Sequence, residues 1–176
     1  MGVAQRFWRA HVRRVDDPEP TVIRRANQEE SEAAYALVRE YFDQAGVVAR
    51  ESPEEFQKEY FRERAGLWLA WQGERIVGCA ALRELVDPRK AEIKRMYVRE
   101  PWRGRGVAQK LLQAVEAFAR AQGFDWAYLD TTEVMKAAAR LYRRNGYRPC
   151  ERYNANPQAT IFLRKRLRPR EEFAAA

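Results

Sequence analysis

Apolar positions along this chain switch between a period near two and a period near 3.6, and the switches divide it into strands and helices. Residues 21–25 (Thr-Val-Ile-Arg-Arg) read as a first strand, and 29–44 as a helix, with Ala33, Ala34, Leu37 and Tyr41 on one face. Ser52-Pro53-Glu54-Glu55 predicts a helix start, with serine as cap and proline in the first turn; Phe56, Tyr60 and Phe61 follow it. Residues 67–71 and 75–85 form a strand pair turning at Gln72-Gly73-Glu74. Next come a strand over 91–98, a helix whose face carries Val107, Leu111, Leu112, Val115, Phe118 and Ala119, and a strand over 126–130. A helix over 134–144, closed by Gly146, and strands over 147–153 and 159–167 with a turn at 154–157 complete one α/β unit. Residues 1–20 are an extension ending in a proline-bearing polar linker, 21–168 the domain and 169–176 a tail.

The strand over 91–98 breaks its own alternation. Ile93 has opposite parity to Met96 and Val98, which places these apolar residues on different faces of a regular strand. One extra residue between Lys94 and Tyr97 would return them to a common face, as a β-bulge does, and would free backbone groups for a ligand. An ordinary half-exposed strand with imperfect alternation is the competing reading.

Arg103-Gly-Arg-Gly-Val-Ala108 follows, at a strand-to-helix junction. Two glycines permit a tight turn and close approach of a ligand, and a helix start offers unpartnered N–H groups with partial positive charge. That makes a phosphate site. A Walker-type loop needs Gly-Lys-Ser/Thr, which Gly106-Val107-Ala108 excludes. A dinucleotide turn finds two of its glycines and an acid at Asp130, but Gln109 stands at the third glycine position. The preceding strand also carries Glu92, Lys94 and Arg95, whereas a doubly buried strand is nearly all apolar. An acyl-CoA pyrophosphate loop of the form Arg/Gln-x-x-Gly-x-Gly/Ala fits best, with Arg103, Gly106 and Ala108 in its fixed positions.

With these segments in order, the chain resembles the GNAT superfamily of acetyl-CoA-dependent N-acetyltransferases over roughly residues 21–168. Residues 92–98 are similar to its fourth strand, 103–108 to its pyrophosphate loop, 129–131 to the end of its fifth strand, and 138–147 (Ala-Ala-Arg-Leu-Tyr-Arg-Arg-Asn-Gly-Tyr) to its Ala-x-x-Leu-Tyr-x-x-x-Gly-Phe/Tyr signature. Met135 stands where many members have asparagine. The resemblance implies a single-domain α/β fold: a mixed, mostly antiparallel sheet of about seven strands, a splayed fourth strand and about four helices. It implies acetyl-CoA held by Met96, Tyr97, Val98, Arg103, Gly104, Arg105, Gly106, Val107, Ala108 and Tyr142. It also implies an acceptor groove between the first two helices and the 154–157 turn, where Tyr41, Phe42, Asp43 and Trp68 are candidate acceptor contacts.

Acetyl transfer to an amine needs a neutral nucleophile, stabilisation of an oxyanion and a thiolate able to leave. An amine with a pKa of about 10.4 is protonated at neutral pH, so its proton must be removed. Glu92 matches the fourth-strand position where some members carry a catalytic glutamate; the alternative is a strand charge paired with Lys94 or Arg95. Tyr142 matches the tyrosine that hydrogen-bonds or protonates the CoA sulfur; the alternative is a packed helix tyrosine. Strand N–H groups near Met96 to Val98 would meet the oxyanion.

Composition narrows the function classes. A chain of 176 residues with 46% hydrophobic content fits one packed domain, and no apolar run approaches the ~20 residues of a membrane span. The first residues lack a secretory signal, so the expected location is cytoplasmic. His11 is the only histidine and no Cys/His/Asp cluster has ligand spacing, which argues against a metal site. Two cysteines make no disulfide framework, and Cys79 reads as core. A formal net charge of +8 favours polyanions, CoA phosphates among them. The basic run at 163–170 keeps strand parity at Ile161, Leu163 and Leu167, so its cations read as solvated and nucleic acid is the less favoured partner. The expected function is acetyl transfer from acetyl-CoA to a primary amine, foremost on a small molecule, with a protein lysine or N-terminus as the subsidiary acceptor. A noncatalytic acyl-CoA sensor or a nucleic-acid-binding module is the alternative. A homodimer stays open.

Overall fold

A computed structural model describes residues 19–46 and 51–168. Strands β1 (Val22–Arg25), β2 (Gly66–Gln72), β3 (Arg75–Glu84) and β4 (Lys90–Val98) form an antiparallel series. Strand β5 (Trp126–Thr131) lies parallel to β4, and β7 (Ile161–Arg166) is antiparallel to both β5 and the short edge strand β6 (Arg148–Pro149). The result is one sheet ordered β1-β2-β3-β4-β5-β7-β6. Helices α1 (Ser31–Ala45) and α2 (Pro53–Tyr60) cover one face; α3 (Val107–Ala121) and α4 (Lys136–Arg144) pack on the other. Among the described residues, seven strands, four α-helices and a single parallel pair give the expected fold.

Local chemistry sets the helix boundaries. Ser52 accepts from Glu55 N–H while the Glu55 carboxylate accepts from Ser52 N–H, a reciprocal cap with Pro53 in the first turn. The first helix begins at Ser31, after a 3₁₀ turn over Gln28–Glu30 capped by Asn27. Gly146, at φ 87°, ends α4 as expected. One expected strand contracts. Only Arg148 and Pro149 pair with β7; the Cys150 N–H still donates to Phe162 O (3.0 Å), after which the chain leaves the sheet as a loop.

Strand parity separates two cores. Trp68, Ala70, Ala80, Leu82, Ala91, Ile93, Ala127 and Leu129 face α3 and α4, while Leu67, Leu69, Cys79 and Ala81 face α1 and α2. In β4 the parity changes part-way. Cys79 pairs with Tyr97 and Ala81 with Lys94, so Ala80 of β3 lies opposite both Arg95 and Met96. This is the extra residue the sequence asked for, and it returns Met96 and Val98 to the face of Ile93. Arg95 occupies the left-handed region at φ 55°, a strained conformation for a residue with a Cβ. Three contacts hold it: the Cys79 thiol donates to its carbonyl (3.3 Å), its guanidinium lies 4.6 Å from the Phe42 ring, and it bonds Glu51 at 2.7 Å. Burial pushes the Cys79 thiol up to about 12, so it stays a protonated donor.

The basic C-terminal strand is partly absorbed by packing. Arg164 and Arg166 lie over the Trp126 ring, and Lys165 bonds the buried Glu116 of α3 at 2.6 Å. Residues 1–18 and 169–176, the expected extension and tail, lie outside the described residues. No helix among the described residues is long and apolar enough to cross a membrane.

Candidate active site

The sheet opens at its centre. β4 and β5 pair only at Lys90–Trp126, Ala91–Ala127 and Glu92–Tyr128, after which the bulge turns β4 away. From Ile93 onward the β5-facing edge of β4 has no strand partner, whereas β5 keeps six pairs with β7 through Thr131. The opening is a V whose arms are residues 93–98 and 129–131. One arm continues through a 3₁₀ turn, Glu100–Trp102, to the glycine loop and α3.

Gly104 and Gly106 have φ of 74° and 78°, and Gly106 is the N-cap of α3 with no side-chain capping bond. The first amides of α3 are therefore left to an external acceptor. A Cβ at either glycine meets nothing within 4 Å, so positive φ rather than crowding within the chain demands glycine here. That open space over a helix start fits a phosphate group, and Arg105 is exposed beside it. Arg103 has a different task. Its side chain donates to Val98 O (2.9 Å) and Gln44 (3.2 Å), tying the loop to β4 and α1. Gln109 exchanges hydrogen bonds with Asn145 at 2.7 and 2.8 Å, joining α3 to the end of α4.

Tyr142 is buried at 5% exposure beside the V, its ring edge-on to Tyr147 at 5.7 Å. Its hydroxyl forms no hydrogen bond among the described residues. Burial raises its pKa, and Tyr41 of α1 and Asp130 of the β5 arm add to the rise. Tyr97, Val98 and Met96 line the same arm. The Tyr97 hydroxyl is engaged with Glu40 at 2.7 Å, so only its backbone is left for a ligand.

Glu92 is fully buried, and its carboxylate accepts from Arg83 (2.6 Å), Asn154 (2.9 Å), Tyr153 (3.0 Å) and Lys94 (3.4 Å). Burial pushes its pKa up, but the charges of Lys94 and Arg83 and the bonds from Arg83 and Tyr153 together hold it below the usual carboxylate range. This carboxylate has four donors and is a weak base. Asp130, two residues beyond the last paired position of β5, shares the helix α1/α2 face of the sheet with Glu92. Asn154 bridges the two, donating to Glu92 and to Asp130 (2.6 Å), and Asn156 also donates to Asp130 (3.2 Å).

On this face lies a groove of about 660 Å³ between Phe42 of α1, α2, the bulge residues Lys94 and Arg95, and Asn156–Gln158. It joins the first two helices, the bulge and the late loop.

A model of the acetyltransferase (GNAT) family matches residues 27–147, more than half of the chain. The chain belongs to the GNAT acetyltransferase family. It is 34% identical over 105 residues to the uncharacterized N-acetyltransferase YsnE of Bacillus subtilis, covering 57% of this chain and 68% of that one. It is 31% identical over 94 residues to N-acetyltransferase 8F1 of Rattus norvegicus, covering 51% of this chain and 42% of the rat protein. This chain therefore spans about two thirds of the bacterial relative's length and less than half of the rat one's. Among solved structures, a GNAT acetyltransferase of Staphylococcus aureus superposes with a TM-score of 0.74 at 22% identity, covering 85% of this chain and all of that one. An acetyltransferase of Streptococcus agalactiae does so with a TM-score of 0.68 at 20% identity, over 83% and 98% of the two chains. These two likenesses concern the fold.

Set in the GNAT frame, the expected site residues separate into groups. Residues 96–98 form one arm of the V, and Val98, Val107 and Tyr142 share one buried cluster with Met96 and Ala108 packed against it. Phe42 lines the groove, and Tyr41 packs beside Tyr97 at 5.7 Å. Asp43 is exposed on α1 and is not among the groove's lining residues. Trp68 needs correction as an acceptor contact: it faces α3 and packs edge-on to Phe118 at 5.0 Å, across the sheet from the groove. Met135 is the residue before α4 and makes no capping bond. The reading of the sequence missed Asp130 as a site residue. Its signal was available in the strand alternation, since Ala127 and Leu129 are apolar and Asp130 breaks the run at the strand end.

Proposed function

We propose that this GNAT protein moves an acetyl group from acetyl-CoA to the primary amine of a small molecule by direct attack. One observation carries the reading: the β4–β5 ladder stops at Glu92, leaving a V with the Tyr142 phenol on one side and an acceptor groove on the other. When bound, acetyl-CoA supplies an activated acetyl thioester. Residues 103–108 and the open start of α3 hold its pyrophosphate, and the unpaired edge of β4 from Met96 to Val98 offers hydrogen bonds to its amide-rich arm. N–H groups on that edge also face negative charge developing on the acetyl oxygen. Tyr142 donates its phenolic proton, or a hydrogen bond, to the departing sulfur. Asp130 steadies the incoming ammonium and relays one of its protons to solvent, so that a neutral amine attacks; the nitrogen gives up a second proton to solvent as the N–C bond is completed and the C–S bond breaks. Glu92 acts one step back, as the buried anion that fixes Asn154 and the late loop.

The test is CoA release by the purified protein over amino acids, polyamines, aminoglycosides and lysine peptides. Acetyl-CoA stabilising the fold with no release from any amine would overturn the catalytic reading. Two variants probe the parts. Gly106→Val places a β-branched side chain at positive φ in the cradle; acetyl-CoA affinity should fall about 10-fold or more, with strain of roughly 1–2 kcal/mol. Unchanged affinity in calorimetric titration would remove the loop from the site. Asp130→Asn should lower kcat/KM for the amine about 10-fold while acetyl-CoA affinity holds.

A further inference from the structure

We propose that the acceptor of this GNAT protein carries a carboxylate as well as its amine, and that Lys94 is the residue that reads it; this rests on the acetyltransferase reading above. The groove brings more positive than negative charge to its walls. Arg95 is neutralised by Glu51 at 2.7 Å, and Glu55 is committed to the α2 cap. The remaining acids, Glu59 and the buried Glu92 beneath the groove, serve three cations: Arg83 reaches Glu92 at 2.6 Å and Glu59 at 3.4 Å, Arg62 stays 3.9 Å from Glu59, and Lys94 is 3.4 Å from Glu92. Lys58, also on the lining, has no carboxylate partner among the described residues.

Of the two cations that reach the buried Glu92, Lys94 is the less well served. Among the described residues its one hydrogen bond goes to Glu92 Oε1, an oxygen that already accepts from Asn154 at 2.9 Å and Tyr153 at 3.0 Å. A charge-assisted N–H···O bond is best at about 2.7–2.9 Å, so most of the donor capacity of this ammonium is unspent. Only 17% of its side chain is exposed, so water does not fully compensate. Lys94 also adjoins the bulge, and it faces the same side of the sheet as Asp130 across the V. An amine steadied by Asp130 and an anion on Lys94 would lie a short span apart. That is the layout of an amino acid, whereas a polyamine would add cation to cation. The groove is large enough to admit a metabolite of that size.

Matched acceptors test this directly: amino acids against their amides and against the amines formed by removing the carboxyl group. Loss of the carboxylate should lower kcat/KM about 10-fold, chiefly through KM, even though the amide's amine is the more easily deprotonated. Lys94→Gln should remove the preference by lowering turnover of the carboxylate-bearing partner only, and Lys94→Arg should restore it. A binding measurement stands apart from catalysis: an N-acetyl amino acid should raise the Tm of the wild-type protein but not of Lys94→Gln, and its amide should raise neither. Equal or faster turnover of carboxylate-free amines, or a Lys94→Gln loss shared by both partners, would overturn the inference and leave acetyl transfer standing. A Tm response to the N-acetyl amino acid without turnover of any amine would do the reverse.

Discussion

Replacing Tyr142 with phenylalanine should lower kcat about 100-fold, the low end of what a positioned proton donor contributes. Acetyl-CoA affinity and folding stability should barely move. The hydroxyl forms no hydrogen bond among the described residues, so its removal leaves no buried partner stranded, and the stability change should stay within about 0.5 kcal/mol. The Tyr142 ring is buried while its hydroxyl is not tied to a partner among the described residues, which leaves it free to meet a sulfur arriving at the V. The raised pKa adds a pH signature. Burial, Tyr41 and Asp130 keep the phenol protonated beyond its ordinary range, while an amine acceptor loses its proton as pH rises. The rate should therefore climb with pH and show no descending limb from Tyr142 below a pH of about 10. Full activity in the phenylalanine variant, or equal loss of acetyl-CoA binding and turnover, would make Tyr142 a packing residue. Single-turnover kinetics with titration calorimetry separates the cases.

Glu92→Ala should cost about 3 kcal/mol of folding stability, measured by urea denaturation. The figure is at the low end for a broken buried pair because about a third of the Arg83 side chain remains in water. Arg83, Tyr153 and Asn154 would all lose their shared acceptor, and the loop that positions Asn156 beside Asp130 would loosen. Acceptor KM should rise in parallel. The folded pKa of Glu92 is depressed, so its stabilisation is complete above the ordinary value of 4.5 and fades as pH falls through the lower folded value. Wild-type stability should drop on acidification below that point, and Glu92→Gln should flatten the limb. A variant with native stability whose rate loses an ionisation would instead return Glu92 to the role of general base.

The two carboxylates show where a reading of residues stops. Glu92 matched a catalytic position by its place on a strand, and its spacing to Lys94 suggested a simple strand pair. Lys94 does pair with it, but the other residues that fix its chemistry are elsewhere: Arg83 across the β3–β4 ladder, and Tyr153 and Asn154 some sixty positions later. Trp68 failed for a related reason. Residues 67–71 are apolar without interruption, so alternation gave no sign of which face each side chain takes, and register against β1 and β3 assigned Trp68 to α3.

What the sequence determined by itself is what short-range physics controls. Serine, proline and glutamate started α2, glycines at positive φ made the turn that opens α3, and a break in alternation within β4 announced the bulge. Each depends on φ, ψ and side-chain parity over a few neighbouring residues, so these local features were legible. The tertiary structure decided the rest: that Glu92 is held by cations and Asp130 by amides, that Arg103 braces the loop, and that Lys94 faces the groove underbonded. Ionisation and donor capacity depend on partners gathered from distant segments, and those partners meet only when the sheet is assembled.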